Sequence, residues 1–118
     1  MAKLTNTNYN KIKSSLLTTN IDAPFILGFK YKLYNGFTFK EMKPENYQSL
    51  QLFLNKIAGQ SVSYVDKKFA RKPDKNDEAY GKNIRHYSVS DKFRIHVILE
   101  DGVFFVLRLD TKHKVHKD

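Results

Sequence analysis

The last third of the chain, residues 84–117, alternates apolar and polar side chains over most of its length. Alternation at period two is typical of β-strands that bury one face, so the pattern restricts this segment to a sheet. An Asp101-Gly102 dipeptide interrupts the alternation and is a strong hairpin signal. We therefore predict an antiparallel meander of strands over residues 84–89, 92–99 and 103–109.

Helical spacing replaces this alternation in the middle of the chain. Pro44 suits the first turn of a helix, and Gly59 is a typical stop signal. Between them the apolar residues recur at helical spacing, at Tyr47, Leu50, Phe53, Leu54 and Ile57. Ser61 can cap a second, shorter helix with an apolar side formed by Val62, Val65 and Phe69. The middle of the chain thus predicts a pair of helices.

The segments that flank the helices complete the fold prediction. Apolar residues alternate with lysines from Phe25 to Leu33, which predicts an opening strand. Residues 71–82 are polar and of mixed charge, which predicts a loop. The expected fold class is α+β: an antiparallel sheet of about four strands with the helical pair packed on one face. The expected order is strand, helix, helix, strand, strand, strand.

Residues 1–24 differ in composition from the rest and are interpreted as a polar N-terminal extension. Within it Tyr9, Ile12, Leu16 and Leu17 could line one side of a short helix, which would need the body of the protein for stability. Residues 25–118 are expected to form a single α+β domain, in keeping with a length of 118 residues.

Composition excludes several classes of protein. The chain has no cysteine, which excludes a disulfide scaffold and a thiolate metal site. No apolar run approaches the roughly 20 residues needed to cross a bilayer, so we expect a cytoplasmic protein without a membrane partner. Lys and Arg total 21 against 12 Asp and Glu, a net charge of +9. A domain this basic attracts phosphates or acidic proteins.

The length of the last turn decides which residues share a face, because a slip of one residue exchanges the faces. A two-residue loop at Asp101-Gly102 would place Ile95 opposite Arg108 and mix the faces. A three-residue loop that begins at Glu100 and ends in a bulge separates them. This register creates a wholly apolar face from the pairs Leu99–Val103, Val97–Phe105, Ile95–Leu107 and Phe93–Leu109. We therefore expect the three-residue loop.

The same register predicts a basic face on the other side of the sheet. It places Arg94 opposite Arg108, and facing like charges are destabilising unless an anion or a carboxylate lies between them. Extended through the preceding turn, this face contains Arg85, Tyr87, Arg94, His96 and Arg108. Arginines bind phosphate bidentately and an aromatic ring can stack on an unpaired base, so the face is suited to RNA.

A purely structural interpretation of this face stays open. Arg94 can pair with Asp91 or Glu100, and arginine on the solvent side of a sheet is ordinary. Apolar residues that protein could cover share the same side, namely Ile98, Phe104 and Val106.

The order of elements and the C-terminal text resemble RelE/YoeB-type toxins. The strand FRIHV, a short acidic turn with Gly, the strand VFFVLRLD and a basic tail with His match the C-terminal half of that family. The helical pair and the opening strand match its earlier elements. The resemblance covers about residues 25–117, and the motif-like text lies in residues 84–117.

The resemblance implies a metal-independent endoribonuclease that cleaves mRNA, usually on the ribosome, and that an antitoxin protein neutralises. In such enzymes the RNA 2′-hydroxyl attacks the adjacent phosphorus, while the protein supplies a base, an acid and cations. Arg94 matches the arginine that binds the scissile phosphate. His113 and His116 match the terminal segment near the leaving oxygen.

Further phosphate contacts follow from the same resemblance. Lys112 would add positive charge beside the terminal histidines, and Arg71 and Lys72 follow the helical pair. The Lys or Glu base of the family has no clear counterpart here, because Arg85 and His86 occupy its region.

Other chemistry has weaker support in the sequence. His113 and His116 could bind zinc with Asp110, but two histidines and one carboxylate fall short of a structural zinc site. There is no glycine-rich phosphate-binding loop, and we expect no cofactor. Two other functions stay open. One is a non-catalytic nucleic-acid or protein-binding module that uses the same basic face, and the other is a protein whose charge only aids solubility.

Overall fold

The computed structural model describes residues 23–72 and 77–112. Within these described residues, two helices and seven strands follow one another, with a 3-10 turn at Phe39–Glu41. In chain order they are β1 (Leu27–Gly28), α1 (Pro44–Ile57), α2 (Val62–Phe69), β2 (Ala70–Arg71), β3 (Glu78–Ala79), β4 (Lys82–Asn83), β5 (Arg85–Ser88), β6 (Arg94–Glu100) and β7 (Val103–Asp110). The predicted α+β class is confirmed.

The two helices begin and end close to the predicted positions. α1 begins at Pro44 and ends at Ile57. Gly59 follows with a φ of 74°, a left-handed conformation that glycine adopts readily and that stops a helix. The Ser61 hydroxyl accepts a hydrogen bond of 3.1 Å from the backbone N–H of Tyr64 and so caps α2.

The sheet is larger and more mixed than predicted. Five strands pair in the order β1-β7-β6-β5-β2, and β3 and β4 form a separate two-stranded sheet. β1 is parallel to β7, so the expected wholly antiparallel sheet is wrong. The predicted loop over residues 71–82 is also wrong, because it contains the end of β2 and the β3–β4 hairpin.

The opening strand is much shorter than its alternating pattern suggested. Of residues 25–33, only Leu27–Gly28 pair as a strand. A Cβ at Gly28 would lie 3.0 Å from side-chain atoms of Val103 and Phe105, so a larger residue would crowd the pairing with β7. The alternation does not bury one continuous side, since Phe25 is buried in the core under the helices while Phe29 is 59% exposed.

The helices cover one face of the five-stranded sheet, here called the helix face. Its core joins buried residues of the helices to those of the strands, among them Phe53, Ile57, Val62, Val65, Tyr87, Phe93, Ile95, Val97, Phe104, Val106 and Leu109. The opposite face, here called the second face, has a smaller apolar cluster of Ile84, Ile98 and Leu107, packed by Tyr31, Tyr34, Ala79 and Phe105. Both faces are therefore covered by protein.

The β6–β7 hairpin has a tighter turn than predicted. Glu100 pairs with Val103, so the loop consists of Asp101 and Gly102, with φ angles of 52° and 81°. Positive φ at both positions is typical of a type I′ turn, and its twist matches that of the strands. The predicted three-residue loop is wrong.

The polar and apolar faces of the hairpin are separated by a bulge at Leu107, and not by the longer loop that was predicted. Val97 pairs with Val106, but His96 pairs with Arg108, so Leu107 is an extra residue on β7. Leu107 packs in the second-face cluster, and the apolar residues beyond the bulge return to the helix face. The expectation that a two-residue loop would mix polar and apolar residues on each face is therefore wrong, because the bulge shifts the register within β7.

The two-residue loop exchanges the faces of the β7 residues that lie between the turn and the bulge. Phe105, like Leu107, was expected on the apolar side under the helices and instead packs on the second face. Phe104 and Val106, expected on the basic face, are buried under the helices.

The N-terminal extension lies almost wholly outside the described residues. Its possible helix, with Tyr9, Ile12, Leu16 and Leu17, falls within residues 1–22 and so outside that range. Ala23, placed in the extension by sequence, is buried in the core of the helix face. Within residues 23–72 and 77–112, no helix combines the length and the apolar character that a membrane span requires.

Candidate nucleic-acid interface

The structure divides the predicted basic face between the two sides of the sheet. β5 and β6 are joined by residues 89–93, an odd number, so Tyr87 lies opposite Ile95 and Arg85 opposite Val97. Tyr87 and Arg85 therefore belong to the helix face. The other predicted members lie on the second face, and they are Arg94, His96 and Arg108. The prediction that all five share one face is wrong.

The predicted like-charge pair is also absent from the described hairpin. Arg94 lies opposite Asp110, and Arg108 lies opposite His96. Arg94 therefore has a carboxylate as its cross-strand neighbour. The repulsion that suggested an anion between Arg94 and Arg108 does not arise.

His96 and Arg108 belong to a buried polar cluster. His96 is 0% exposed and Arg108 6% exposed, so neither side chain can contact RNA directly, contrary to the prediction. Arg108 Nη2 lies 2.5 Å from Asp77 Oδ2, and the Arg108 guanidinium lies 5.0 Å from the Tyr34 ring centroid. His96 Nε2 lies 3.9 Å from Asp110 Oδ2. Pairing of this kind offsets part of the cost of removing charges from water.

His86 completes the cluster, although the sequence analysis assigned it no role. Its ring stacks on the His96 ring with centroids 3.9 Å apart, and its Nε2 lies 3.6 Å from Asp77 Oδ2. Strand pairing aligns four residues in one row across β2, β5, β6 and β7, in the order Arg71, His86, His96 and Arg108. The row depends on strand register, so no local sequence signal identifies it.

A cleft of about 390 Å³ lies at the edge of the sheet where the two-residue strand β2 pairs with β5. We call it the β5 edge cleft, and its lining consists of Asp66, Ala70, Arg71, Asn83, Ile84, Arg85, His86 and Tyr87. Three predicted RNA-binding residues meet here: Arg71, Arg85 and Tyr87.

The two arginines of the cleft are exposed. The Arg85 side chain is 45% exposed, and its Nη1 lies 4.0 Å from Asp66 Oδ2. Arg71 Nη1 donates a hydrogen bond of 2.9 Å to the Ala70 carbonyl, which orients the guanidinium at the end of α2. The same end of α2 carries further exposed cations, namely Lys67, Lys68 and Lys72. The cleft therefore lies within a basic region of the surface.

Tyr87 positions the carboxylate of the cleft and is itself a core residue. Its hydroxyl donates a hydrogen bond of 2.5 Å to Asp66 Oδ1, while its buried ring packs edge-on against Phe25 at 5.2 Å. Burial, and then the bond to Asp66, raises the pKa of Tyr87 well above its ordinary range, so the phenol stays protonated. The predicted stacking role of Tyr87 is wrong, because its ring is covered.

Arg94 lies beyond β5, close to the cleft. It pairs with Ser88, while Arg71 pairs with His86 two residues earlier on the same strand. Partial burial, followed by the positive charge of Arg71, lowers the pKa of Arg94, while Asp91 and Asp110 act in the opposite sense. The two guanidinium groups are thus close enough to repel one another.

The remaining predicted residues surround the end of β7. Lys112 is exposed just beyond β7, and its backbone N–H donates a hydrogen bond of 3.4 Å to Asp110 Oδ1. Lys112 lies at the same end of the sheet as Arg94, because Arg94 pairs with Asp110. His113 and His116 lie outside the described residues, so the catalytic and zinc-binding hypotheses for them stay predictions.

A separate groove of about 290 Å³ opens on the helix face. Within residues 23–72 and 77–112, the residues that line it are all apolar: Leu27, Phe29, Phe39, Leu50, Leu54, Ile95, Val106 and Leu109. Phosphate binding requires cations or hydrogen-bond donors, so this groove is not the candidate site.

Comparison with known proteins adds no relative. No family model matches the chain, and neither a curated protein nor a solved structure matches it. The resemblance to RelE/YoeB-type toxins therefore stays a prediction from the sequence.

Proposed function

We propose that this protein binds single-stranded RNA through the β5 edge cleft and the adjacent Arg94. The observation that carries the proposal is that Arg71 and Arg85 line one cleft, while Arg94, outside its lining, carries its charge close to Arg71. Asp66 is the one carboxylate among the described residues that line the cleft. Two guanidinium groups in a concave surface and a third beside it can bind successive phosphates of one chain.

Phosphate binding would also stabilise the charges that the fold brings together. Arg71 and Arg94 repel one another, and Arg94 is partly removed from water. A phosphodiester between them would exchange this repulsion for charge-assisted hydrogen bonds. The net charge of +9 would add long-range attraction for a polyanion.

Salt dependence of RNA affinity tests the proposed contacts. We expect a fluorescently labelled single-stranded oligoribonucleotide to bind with an affinity that falls steeply with salt. Arg71→Ala and Arg85→Ala should each weaken binding and reduce the slope of log K against log salt by about 0.7, because each removes one phosphate contact. Fluorescence anisotropy across a salt series measures both effects.

Lys40→Ala is the matched control. Lys40 is exposed on the 3-10 turn and lies outside the cleft lining, so its removal changes the net charge equally. Its slope should equal that of the wild type. If Lys40→Ala and Arg71→Ala have the same effect, binding depends on net charge alone and the cleft assignment is wrong.

RNA cleavage is a second, more specific function that Asp66 favours. Its carboxylate is held by the Tyr87 hydroxyl, lies 4.0 Å from Arg85 and keeps 39% of its side chain exposed. A carboxylate in this position can accept the proton of a 2′-hydroxyl, while Arg85 stabilises charge on the attacked phosphorus. The 2′-oxygen bonds to phosphorus as the P–O5′ bond breaks, and the leaving 5′-oxygen takes a proton from water, which gives a 2′,3′-cyclic phosphate and a 5′-hydroxyl.

Asp66→Asn separates cleavage from binding. The amide keeps the shape of the carboxylate but cannot accept the proton, so cleavage in excess EDTA should stop while RNA affinity is retained. Tyr87→Phe is the companion variant and should reduce cleavage less, because it removes only the group that orients Asp66. Undiminished cleavage by Asp66→Asn would exclude Asp66 as the base.

The toxin hypothesis extends this proposal to ribosome-bound mRNA and an antitoxin partner. Under it, expression of the protein should arrest growth, and Arg94→Ala, His113→Ala and His116→Ala should relieve the arrest. A neighbouring gene for a small acidic or DNA-binding protein should restore growth when co-expressed. Unchanged arrest by all three variants would remove Arg94 and both histidines from the proposed mechanism.

A further inference from the structure

The turn between β3 and β4 holds an aromatic residue in an unusual backbone conformation. Tyr80 and Gly81 form this two-residue turn, with φ angles of 54° and 73°. Positive φ at the first turn position favours Asn, Asp or Gly, and a bulky side chain there is strained. The Tyr80 side chain is nevertheless 55% exposed, so core burial does not explain the choice of residue.

The exposed ring of Tyr80 lies flat on a second ring. The Tyr80 and Tyr31 centroids are 4.1 Å apart with an interplanar angle of 19°. Tyr31 is half-buried, packs edge-on against Phe105 and donates a hydrogen bond of 3.0 Å from its hydroxyl to Glu100. Tyr31 thus fixes the orientation of Tyr80 from beneath.

Two lysines flank this stack, and we call the group Tyr31, Tyr80, Lys30 and Lys82 the Tyr80 platform. Lys30 Nζ lies 2.6 Å from one carboxylate oxygen of Glu100, and Lys82 Nζ lies 3.3 Å from the other. Two cations share one carboxylate, so Lys30, Lys82 and Glu100 together carry one net positive charge. The hydrogen bond from Lys30, and after it the one from Tyr31, lowers the pKa of Glu100 to about 2. The Glu100 carboxylate is therefore charged near neutral pH.

We propose that the Tyr80 platform binds an unpaired RNA base by stacking, an inference that rests on the proposed RNA binding by the cleft. Stacking on an aromatic ring accepts any base because every base has a π-face, and nearby lysines hold the flanking phosphates. Aromatic stacking requires unpaired bases, so the platform selects single-stranded RNA.

The platform and the cleft are adjacent in the fold. Lys82 flanks the platform, and the next residue of β4, Asn83, lines the cleft. One strand of RNA can therefore contact both, with its phosphates at the arginines and a base on Tyr80.

Tyr80→Asn distinguishes a binding role from a structural one. Asparagine suits positive φ, so the hairpin should form as well as or better than in the wild type, and the urea unfolding midpoint should not fall. Affinity for a single-stranded oligoribonucleotide of about 12 nucleotides should fall about tenfold, with an unchanged salt slope because no charge is lost. Tyr80→Phe should bind like the wild type.

Tyr80→Trp gives a direct readout, because the chain contains no other tryptophan. A base stacked on the indole should quench its fluorescence, whereas an oligomer of the same length with abasic sites should not. Quenching by the RNA but not by the abasic oligomer would support the platform even if Tyr80→Asn folds poorly.

The outcomes separate this inference from the proposed function. Wild-type binding with a steep salt slope, combined with equal affinity of Tyr80→Asn and no quenching of Tyr80→Trp, would overturn the platform alone. Absence of any RNA binding by the wild type would overturn the cleft and the platform together.

Discussion

The two faces of the sheet bury different chemistry. Under the helices the core is apolar, and its side chains can exchange partners at modest cost. On the second face charged and polar side chains are buried, among them His96, Arg108 and Asp110 at 0%, 6% and 1% exposure. A buried charge requires a specific partner at a specific distance. The helix face therefore tolerates hydrophobic substitution, whereas the second face depends on individual ion pairs.

The polar character of the second face matters for the proposed function, because ion pairs hold its charged side chains in fixed positions. Asp77 contacts both Arg108 and His86, and the row continues through β5 to Arg71 at the edge. The row has three buried members, His86, His96 and Arg108, which lie between the strands and their cover. Its fourth member, Arg71, is exposed and lines the cleft. The row thus connects the interior of the second face to the proposed RNA site.

The largest expected effect is on the helix face, from Phe104→Ala. Phe104 is fully buried and stacks on Phe25 with centroids 4.4 Å apart, so its removal leaves a cavity among packed rings. We expect the free energy of unfolding to fall by about 4 kcal/mol, measured by urea denaturation. Phe105→Ala, on the half-buried neighbour that faces the other way, is the control and should cost clearly less. Equal losses would contradict the assignment of the two rings to different faces.

A somewhat smaller loss is expected on the second face from Asp77→Asn. This change leaves the buried Arg108 guanidinium opposite a neutral group and should lower the free energy of unfolding by about 3 kcal/mol. Replacing Arg108 by Met in the same chain should recover part of the loss, because no unpaired charge then remains. If the double variant is less stable than Asp77→Asn alone, the row contributes by packing rather than by pairing.

The smallest loss of stability is expected from removing a polar contact on the helix face, the hydrogen bond from Tyr87 to Asp66. Tyr87→Phe removes a hydroxyl bonded to the partly exposed Asp66 and should cost about 1 kcal/mol at neutral pH. The raised pKa of Tyr87 stabilises the fold below the unfolded pKa near 10, and this contribution is lost as pH rises further. Urea midpoints on either side of about pH 10 should therefore decline less in Tyr87→Phe than in the wild type. Parallel decline in both proteins would assign the alkaline loss to other groups.

The helices could be predicted because their signals are local. Pro44, Gly59 and Ser61 act within one helical turn, and the apolar spacing between them identifies the buried side. Strand pairing is not local in this sense. The register of β6 and β7 depends on a bulge at Leu107, and nothing adjacent to Leu107 in sequence distinguishes a bulge from a regular strand.

The candidate site could be predicted only in part. Arg71, Arg85 and Arg94 were all expected to contact RNA, and the fold places Arg71 and Arg85 in one cleft, with Arg94 outside its lining but close to Arg71. Asp66 was missed because the sequence alone does not distinguish it from any other helix carboxylate. Only the tertiary contact with the Tyr87 hydroxyl does so. Tyr80 was missed because the segment around it reads as a polar loop, and only its positive φ and its contact with Tyr31 single it out.

The sequence by itself determined the α+β class, the two helices and an excess of positive charge, because hydrophobic periodicity and charge are properties of neighbouring residues. Only the tertiary structure decided which charges are buried and which are exposed. Two residues of alternating pattern can lie on either face, and a shift of one position exchanges them. Such a shift placed Tyr87 under the helices, whereas His96 and Arg108 kept their predicted side and are buried because other segments of the chain cover it. Arg71, Arg85 and Tyr80 remain at the surface.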